Sequence, residues 1–481
     1  MKKTLSAVLA LIIAFSVVTA AFADSSEKCD CGVTPVIFVH GFAGENIYRG
    51  SESVFPPSAK AVIKSVPDII ATLFALSFKN YKGFGKHFSS ALNIMLGDMA
   101  CDENGNSLYE DVGIAPEKEQ KDSHKIANYV FSPSIDKPDD SGNFIFFYDW
   151  RLDPMEQAEK LNSFAHKIME LTGHDKVSVV CHSEGNTVGA AYLALFGGKD
   201  IDKFVFLSPA FKGLSLIGDA FNKEISVRDK SDELLEFFRG FIESEGTGEF
   251  IIPILRVLDK VGILPRLVKN LGTALEKEYD TIFNSSLKPI FGTSPGIWTF
   301  VPDEYYDTAK ENMFGTETEK YAGLIEKIDN YHYNVQNKFE TVLDTAMADG
   351  AAVVICSGYN ISSIPITSED EWQADMLIDT KYMSIGAECA PYGETLGDGY
   401  TQKNTECGHN HLSADGIIDA STCCLPEYTW FFKNQHHNKF TQAYNEFLTW
   451  VLLYDGQPSV TSNPDYPQFM INENGKLAGV K

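Results

Sequence analysis

Ser183 is the residue with the clearest chemical potential in this chain. It ends the β-branched run Val177-Ser178-Val179-Val180-Cys181-His182, and a helical pattern, Thr187 to Leu195, begins directly after it. Strand, sharp turn and helix with a serine at the apex make a nucleophile elbow, which holds the hydroxyl clear of its neighbours. The helix start behind it offers backbone N–H groups to a developing oxyanion. The turn needs small residues two before and two after the serine; Gly185 meets one demand, and Cys181 stands where the G-x-S-x-G pattern has its first glycine. A serine of this kind needs an imidazole to take its proton and a carboxylate to orient the imidazole.

A second segment fits the same chemistry. Pro35-Val36-Ile37-Phe38-Val39 reads as a buried strand, and it runs into His40-Gly41-Phe42-Ala43-Gly44. In serine hydrolases of the α/β type, the loop after an early strand supplies the other oxyanion donor. The backbone N–H groups of Phe42 and Glu184 are the expected pair. Gly41 and Gly44 let this loop approach a substrate closely.

The acid and base are expected late in the chain, in the order Ser, Asp/Glu, His. Asp415, on the Asp415-Gly416 turn, is the expected acid, with Asp419 as the alternative. His437 is the expected base and His436 the alternative, since adjacent side chains diverge and only one can face Ser183. This chemistry requires no cofactor and no metal.

The elements that must position these residues alternate. Strand-like runs at 33–39, 143–148, 176–181, 203–207 and 351–356 are separated by helical patterns, which implies a mostly parallel sheet covered on both faces, an α/β fold. Between two of them, Met155, Ala158, Leu161, Phe164, Ala165, Ile168 and Met169 recur at helical spacing, with Asp153 as N-cap, Pro154 at the first position and Gly173 as the stop. The alternation breaks near 211. From there to about 300 the chain is helical and apolar (Leu234 to Phe238, Phe250 to Leu255, 257–268), which suggests a cap over the site. Residues 50–116 and 360–413 have no assigned role; the second is expected to hold a strand near 376–385. Cys101 to Asn106 reads as a turn.

Residues 1–23 read as a secretory signal: Lys2 and Lys3, an apolar core, then Ala21-Phe22-Ala23 before Asp24. Without it the formal charge moves from −26 to −28, which argues against nucleic acid and against electrostatic capture by anionic membranes. A lipid surface would be engaged through apolar contacts of the cap. No obligate protein partner is evident. Export permits disulfides among the nine cysteines, with Cys29/Cys31, Cys389/Cys407 and Cys423/Cys424 as candidate pairs and Cys181 the odd one, buried beneath the elbow. Cys407-Gly408-His409-Asn410-His411 lacks a second ligand pair of zinc-type spacing and reads as a loop.

The run Phe146-Phe147-Tyr148-Asp149-Trp150-Arg151, the His40-Gly41-Phe42 loop and the His182-Ser183-Glu184-Gly185 elbow together resemble the lecithin–cholesterol acyltransferase branch of the α/β-hydrolase lipases. The resemblance covers residues 35–207 and 351–453, without matching the cap. It implies an α/β-hydrolase core over 24–210 and 301–481 with a cap inserted at 211–300, and acyl-ester chemistry of lipase or phospholipase type. It implies Ser183 as nucleophile, Asp415 as acid, His437 as base, Phe42 and Glu184 as oxyanion donors, and Asp149 and Arg151 as structural, Arg151 pairing a buried carboxylate. Glu184 replaces an uncharged residue; facing the cleft, it would repel anionic substrates. Acyl transfer, esterase action on polymeric or carbohydrate-linked esters, and a non-catalytic secreted binding role are the competing readings.

Overall fold

The computed structural model describes residue 29 and residues 32–115, 143–225, 232, 234–235, 256–257, 259–366 and 372–481. Eight strands form one sheet: β1 (Val36–Val39), β2 (Asn143–Phe146), β3 (Val177–His182), β4 (Ile201–Leu207), β5 (Ala352–Tyr359), β6 (Thr429–Lys433), β7 (Phe469–Glu473) and β8 (Lys476–Gly479). Their order is β8-β7-β6-β5-β4-β3-β1-β2. Every pairing is parallel except that of β7 with β8 at one edge. Val39 registers with Phe146 on one side and Cys181 on the other, and Leu207 registers with Cys356. The central strands read as apolar runs because both faces are covered, as parallel sheets require.

The strand order explains where a site belongs. From β1 the chain moves outward to β2, then returns across β1 to β3 and proceeds the other way. The β1/β3 boundary is therefore a topological switch point, where loops at the C-terminal strand ends diverge and leave a crevice. This mostly parallel sheet flanked by helices is the α/β-hydrolase architecture expected from the sequence.

Local signals act as the sequence implies. The helix Pro154–Thr172 starts where the Asp153 carboxylate accepts the Met155 N–H at 3.0 Å, and stops at Gly173, whose φ is +68°. Such a cap is worth about 1 kcal/mol. Its apolar stripe, including Leu161, Ala165 and Ile168, joins the main core beneath the sheet.

The helical layer differs from the expected cap. Leu264–Ile282 packs against two helices that precede β2, Ala59–Ser77 and Tyr81–Leu96, sharing a cluster of Leu76, Phe84, Leu267, Ala274 and Ile282. The region left without a role at 50–116 thus supplies two of the three helices named here. Its helices are amphipathic, and neither segment could bury its apolar face alone. Residues Trp298, Phe300 and Val301 already belong to the sheet core. The leader at 1–23 and the 250–255 part of the cap lie outside the described residues. The expected strand near 376–385 is instead a tight bend followed by the short helix Thr380–Met383.

Candidate active site

Ser183 follows the last residue of β3 and adopts φ +55°. A non-glycine residue in this region is strained, and persists only where its surroundings hold it. Here the Ser183 N–H donates to Leu207 O at 3.0 Å, and its carbonyl accepts from the Asn186 side chain at 2.8 Å and the Ala210 N–H at 3.3 Å. Asn186 also donates to Leu207 O at 3.0 Å, so the turn is tied to the end of β4. The helix Gly185–Phe196 then begins, fully buried through its first two turns. Cys181 is buried beneath it, as expected.

His437 reaches this serine from the loop after β6. The Ser183 Oγ–H donates to His437 Nε2 at 2.8 Å. The opposite ring nitrogen, Nδ1, donates to a carboxylate at 2.6 Å, and that carboxylate belongs to Asp375. This corrects the expectation that Asp415, or alternatively Asp419, orients the base. Asp415 Oδ2 accepts from Lys433 Nζ at 2.9 Å and from the Tyr359 hydroxyl at 3.1 Å. Asp419 is occupied by the Tyr400 hydroxyl and the N–H groups of Lys403 and Ser421. Both carboxylates hold loops together. His436, half-buried beside His437, makes no hydrogen bond to Ser183.

Asp375 lies on the bend after Gln373–Ala374, completely buried. Its Oδ1 accepts the N–H groups of Leu377 and Ile378 at 3.1 and 2.9 Å, and its carbonyl accepts the His437 N–H at 3.0 Å. Burial alone would lift its pKa. The charge and hydrogen bond of His437 and the two backbone N–H groups outweigh that, so the carboxyl stays below its ordinary range. A glycine makes the approach possible: a Cβ on Gly358, near the end of β5, would lie 2.8 Å from the Asp375 Cβ. One signal for Asp375 was present in the sequence, an aspartate soon after the strand-like run at 351–356, but it competed with an Asp-Gly turn nearer the histidine.

His182 supports His437 from the other side. Its Nε2–H donates to His437 O at 3.0 Å, and burial holds its pKa down at about 3, so it stays uncharged.

The His40-Gly41-Phe42 loop abuts the elbow. A Cβ on Gly41 would lie 2.6 Å from the Ser183 Cβ and 3.1 Å from its Oγ, so only glycine permits this contact. Among the described residues, no backbone acceptor takes the N–H of Phe42 or of Glu184. Beside Ser183 stands an aromatic wall in which the Phe42 ring meets Trp150, Phe55 and Phe300. The buried Glu184 carboxyl sits within 3.0 Å of the Tyr148 hydroxyl, which lies 2.7 Å from His40 O. One phenol proton cannot serve both oxygens. Burial raises the Glu184 pKa well above its usual range, so the carboxyl keeps its proton and donates to Tyr148, which donates to His40 O. Glu184 is buried, so the condition for repelling anionic substrates, a carboxylate facing the cleft, is not met.

The chain has no match among protein-family models and none among curated protein sequences. One solved structure, that of the Tle4–Tli4 complex, is similar at 11% identity over 80% of this chain and 83% of that one, with a TM-score of 0.29.

Arg151 and Asp149 are structural in the way the sequence suggests, with one adjustment: the buried carboxylate that Arg151 pairs is Asp149 itself. Their two bonds measure 3.0 and 2.7 Å, and Arg151 also donates to Met99 O at 2.9 Å. The disulfide expectations need correcting. The Cys389 thiol donates to Ala387 O, Cys423 to Ala420 O, and Cys407 meets His411, so neither Cys389/Cys407 nor Cys423/Cys424 is joined. Cys31 lies outside the described residues.

Proposed function

We propose that this chain is a secreted serine hydrolase of carboxylic esters, of lipase type and related to the branch its motifs resemble. The observation that carries the reading is the unbroken line Ser183–His437–Asp375, with the serine on a strained turn between a parallel strand and a buried helix. Three groups from distant parts of the chain, each with its polar atoms aimed at the next, are what proton transfer from an alcohol demands.

In the proposed reaction the Ser183 oxygen attacks the ester carbonyl carbon while His437 Nε2 takes its proton. The carbonyl oxygen becomes an oxyanion that accepts from the N–H groups of Phe42 and Glu184. The imidazolium, stabilised by Asp375, gives the proton to the departing alcohol, leaving an acyl-serine. Water then attacks, His437 takes its proton, and the acid leaves as the serine recovers its hydrogen. The protonated Glu184, Tyr148 and His40 O tie the two oxyanion donors to one another, which preserves their spacing.

A lipid rather than a small soluble ester is favoured by the helix Ala59–Ser77. Ile63, Val66, Ile70, Phe74 and Phe78 form an exposed apolar stripe, with Phe74 61% and Phe78 75% exposed. Such a stripe costs nothing against hydrocarbon and is costly in water. Among the described residues no helix is long and apolar enough to cross a membrane. The leader-like residues 1–23 and the net charge of −26 support release rather than capture by anionic headgroups.

Fluorophosphonate labelling followed by mapping of the adduct is the direct test. We expect one adduct, on Ser183, abolished in Ser183→Ala with loss of ester hydrolysis by about 10⁶-fold. Folded protein without an adduct would favour a binding role. With p-nitrophenyl esters, we expect rates to rise with acyl length; a preference for acetyl esters would remove the lipase assignment.

A further inference from the structure

Cys407, His409, His411 and Glu427 bring a thiol sulfur, two imidazole nitrogens and a carboxylate oxygen within 4.8 Å of one another. The first three are alternate residues of one loop. The fourth comes from the turn Pro426–Tyr428, just before β6, and supplies the ligand that the sequence pattern lacked. None of the four belongs to the Ser183 site.

The hydrogen bonding around His411 fixes which nitrogen is available. Gln468 Nε2 donates to Pro426 O at 2.7 Å and to Thr429 O at 3.0 Å, which uses both amide hydrogens. Its Oε1 must then accept, and His411 Nδ1, 2.7 Å away, must be the donor. In a neutral ring this leaves Nε2 as a lone pair. It lies 3.1 Å from Glu427 Oε1 and 3.1 Å from Cys407 Sγ, in a residue with no solvent exposure. His409 Nδ1 stands 2.7 Å from the same carboxylate oxygen. A buried lone pair facing a carboxylate oxygen is repulsive; the Cys407 S–H is only a weak donor to it, and a cation between the three groups relieves the repulsion. A histidine whose second nitrogen is locked by an outer hydrogen bond is also the usual arrangement of a metal ligand.

We propose that these four residues hold a structural Zn²⁺ ion. A tetrahedral ion with bonds of roughly 2.0–2.3 Å needs ligand atoms about 3.3–3.6 Å apart, which small side-chain shifts supply. The mixture of sulfur, imidazole and carboxylate suits zinc better than calcium or magnesium, which take oxygen alone. With all four positions filled by protein, the ion is structural. Binding releases the Cys407 proton to solvent, and the exposed Cys407 and His409 give an entry path. The ion clips the irregular loop at 390–412 to the turn that launches β6, the strand leading to His437.

The test uses the full chain, stripped with a chelator and titrated with Zn²⁺ and Co²⁺. We expect about one ion per chain, a rise of about 2–5 °C in Tm on adding zinc, and a cobalt spectrum with tetrahedral d–d bands and a thiolate charge-transfer band. Cys407→Ser removes that band and His409→Ala the stoichiometric binding; both positions are exposed, so their folding is not at risk. Gln468→Leu weakens binding by about 10- to 100-fold. Fluorophosphonate labelling of Ser183 should survive in Cys407→Ser, which separates this inference from the hydrolase reading. If stripped wild-type protein takes up neither metal and its Tm does not respond, the cluster is a hydrogen-bonded network around an imidazolium and the proposal fails.

Discussion

Asp375 and Asp415 occupy turns of nearly the same local design. Each uses one oxygen to accept the N–H two residues ahead, Leu377 at 3.1 Å and Ile417 at 3.3 Å. Each has a depressed pKa in spite of burial, which acts to raise it. The difference lies in the second oxygen. That of Asp375 meets the imidazole of His437, with no lysine or arginine among the described residues paired to it, whereas that of Asp415 meets Lys433. An Asx-type turn is a local property, set by an aspartate and the next two residues. Whether the remaining charge can stabilise an imidazolium depends on which side chain the fold brings opposite. Asp415 already faces a cation in Lys433; Asp375 faces the His437 ring, and in the proposed reaction its charge would stabilise the imidazolium that forms.

Asparagine at each position separates the two most widely. Asp375→Asn should keep the fold but lower kcat by about 10⁴-fold, since the amide cannot stabilise the imidazolium and selects the wrong tautomer. An active Asp375→Asn enzyme would erase the contrast and return Asp415 to consideration.

Acid should divide the two corners next. His182 bonds to His437 and His40 stacks on Tyr148 at the start of the neighbouring loop, and burial lowers their pKa values from 6.5 to about 3 and about 4. As pH falls below 6.5 the unfolded chain takes up protons that the folded chain refuses, so stability drops by roughly 2 kcal/mol per histidine at pH 5. Asp415 behaves differently. Its folded pKa is depressed, so its contribution is present above its ordinary 3.8 and is lost only as pH falls through the lower folded value. Urea unfolding at pH 7.5 and pH 5 should therefore show a fall that His182→Asn reduces and Asp415→Asn leaves unchanged; a pH-independent midpoint would contradict this account.

The smallest effect is expected from Asp415→Asn itself. Activity should stay within about threefold of wild type while stability falls by about 1 kcal/mol, because Tyr359 and the Ile417 N–H keep an acceptor and only the Lys433 charge is lost. A loss of kcat with unchanged Tm would mean that this carboxylate acts on the site after all.

Reading the residues in order picked out Ser183, His437 and the His40-Gly41 loop, which the fold brings together, because each signal is short. Val177 to Gly185 carries strand, turn and helix in consecutive residues, and the helix over 154–172 announces its own cap and stop. The parallel sheet followed from alternation alone. The acid and the cap layer did not follow. The helices at 59–77 and 81–96 looked like an unassigned insertion because their packing partner, 264–282, comes nearly two hundred residues later.

What consecutive residues determine here is therefore geometry within one turn of chain: a strained serine, a glycine that admits a neighbour, an aspartate that caps its own bend. What only tertiary structure decided is which carboxylate faces His437 and which oxygen completes the group around His411. The reason is physical. Local hydrogen bonds satisfy one lone pair of a side chain, but its remaining charge acts on whatever the sheet order places opposite, and that order joins residues 62 and 254 positions apart in the triad.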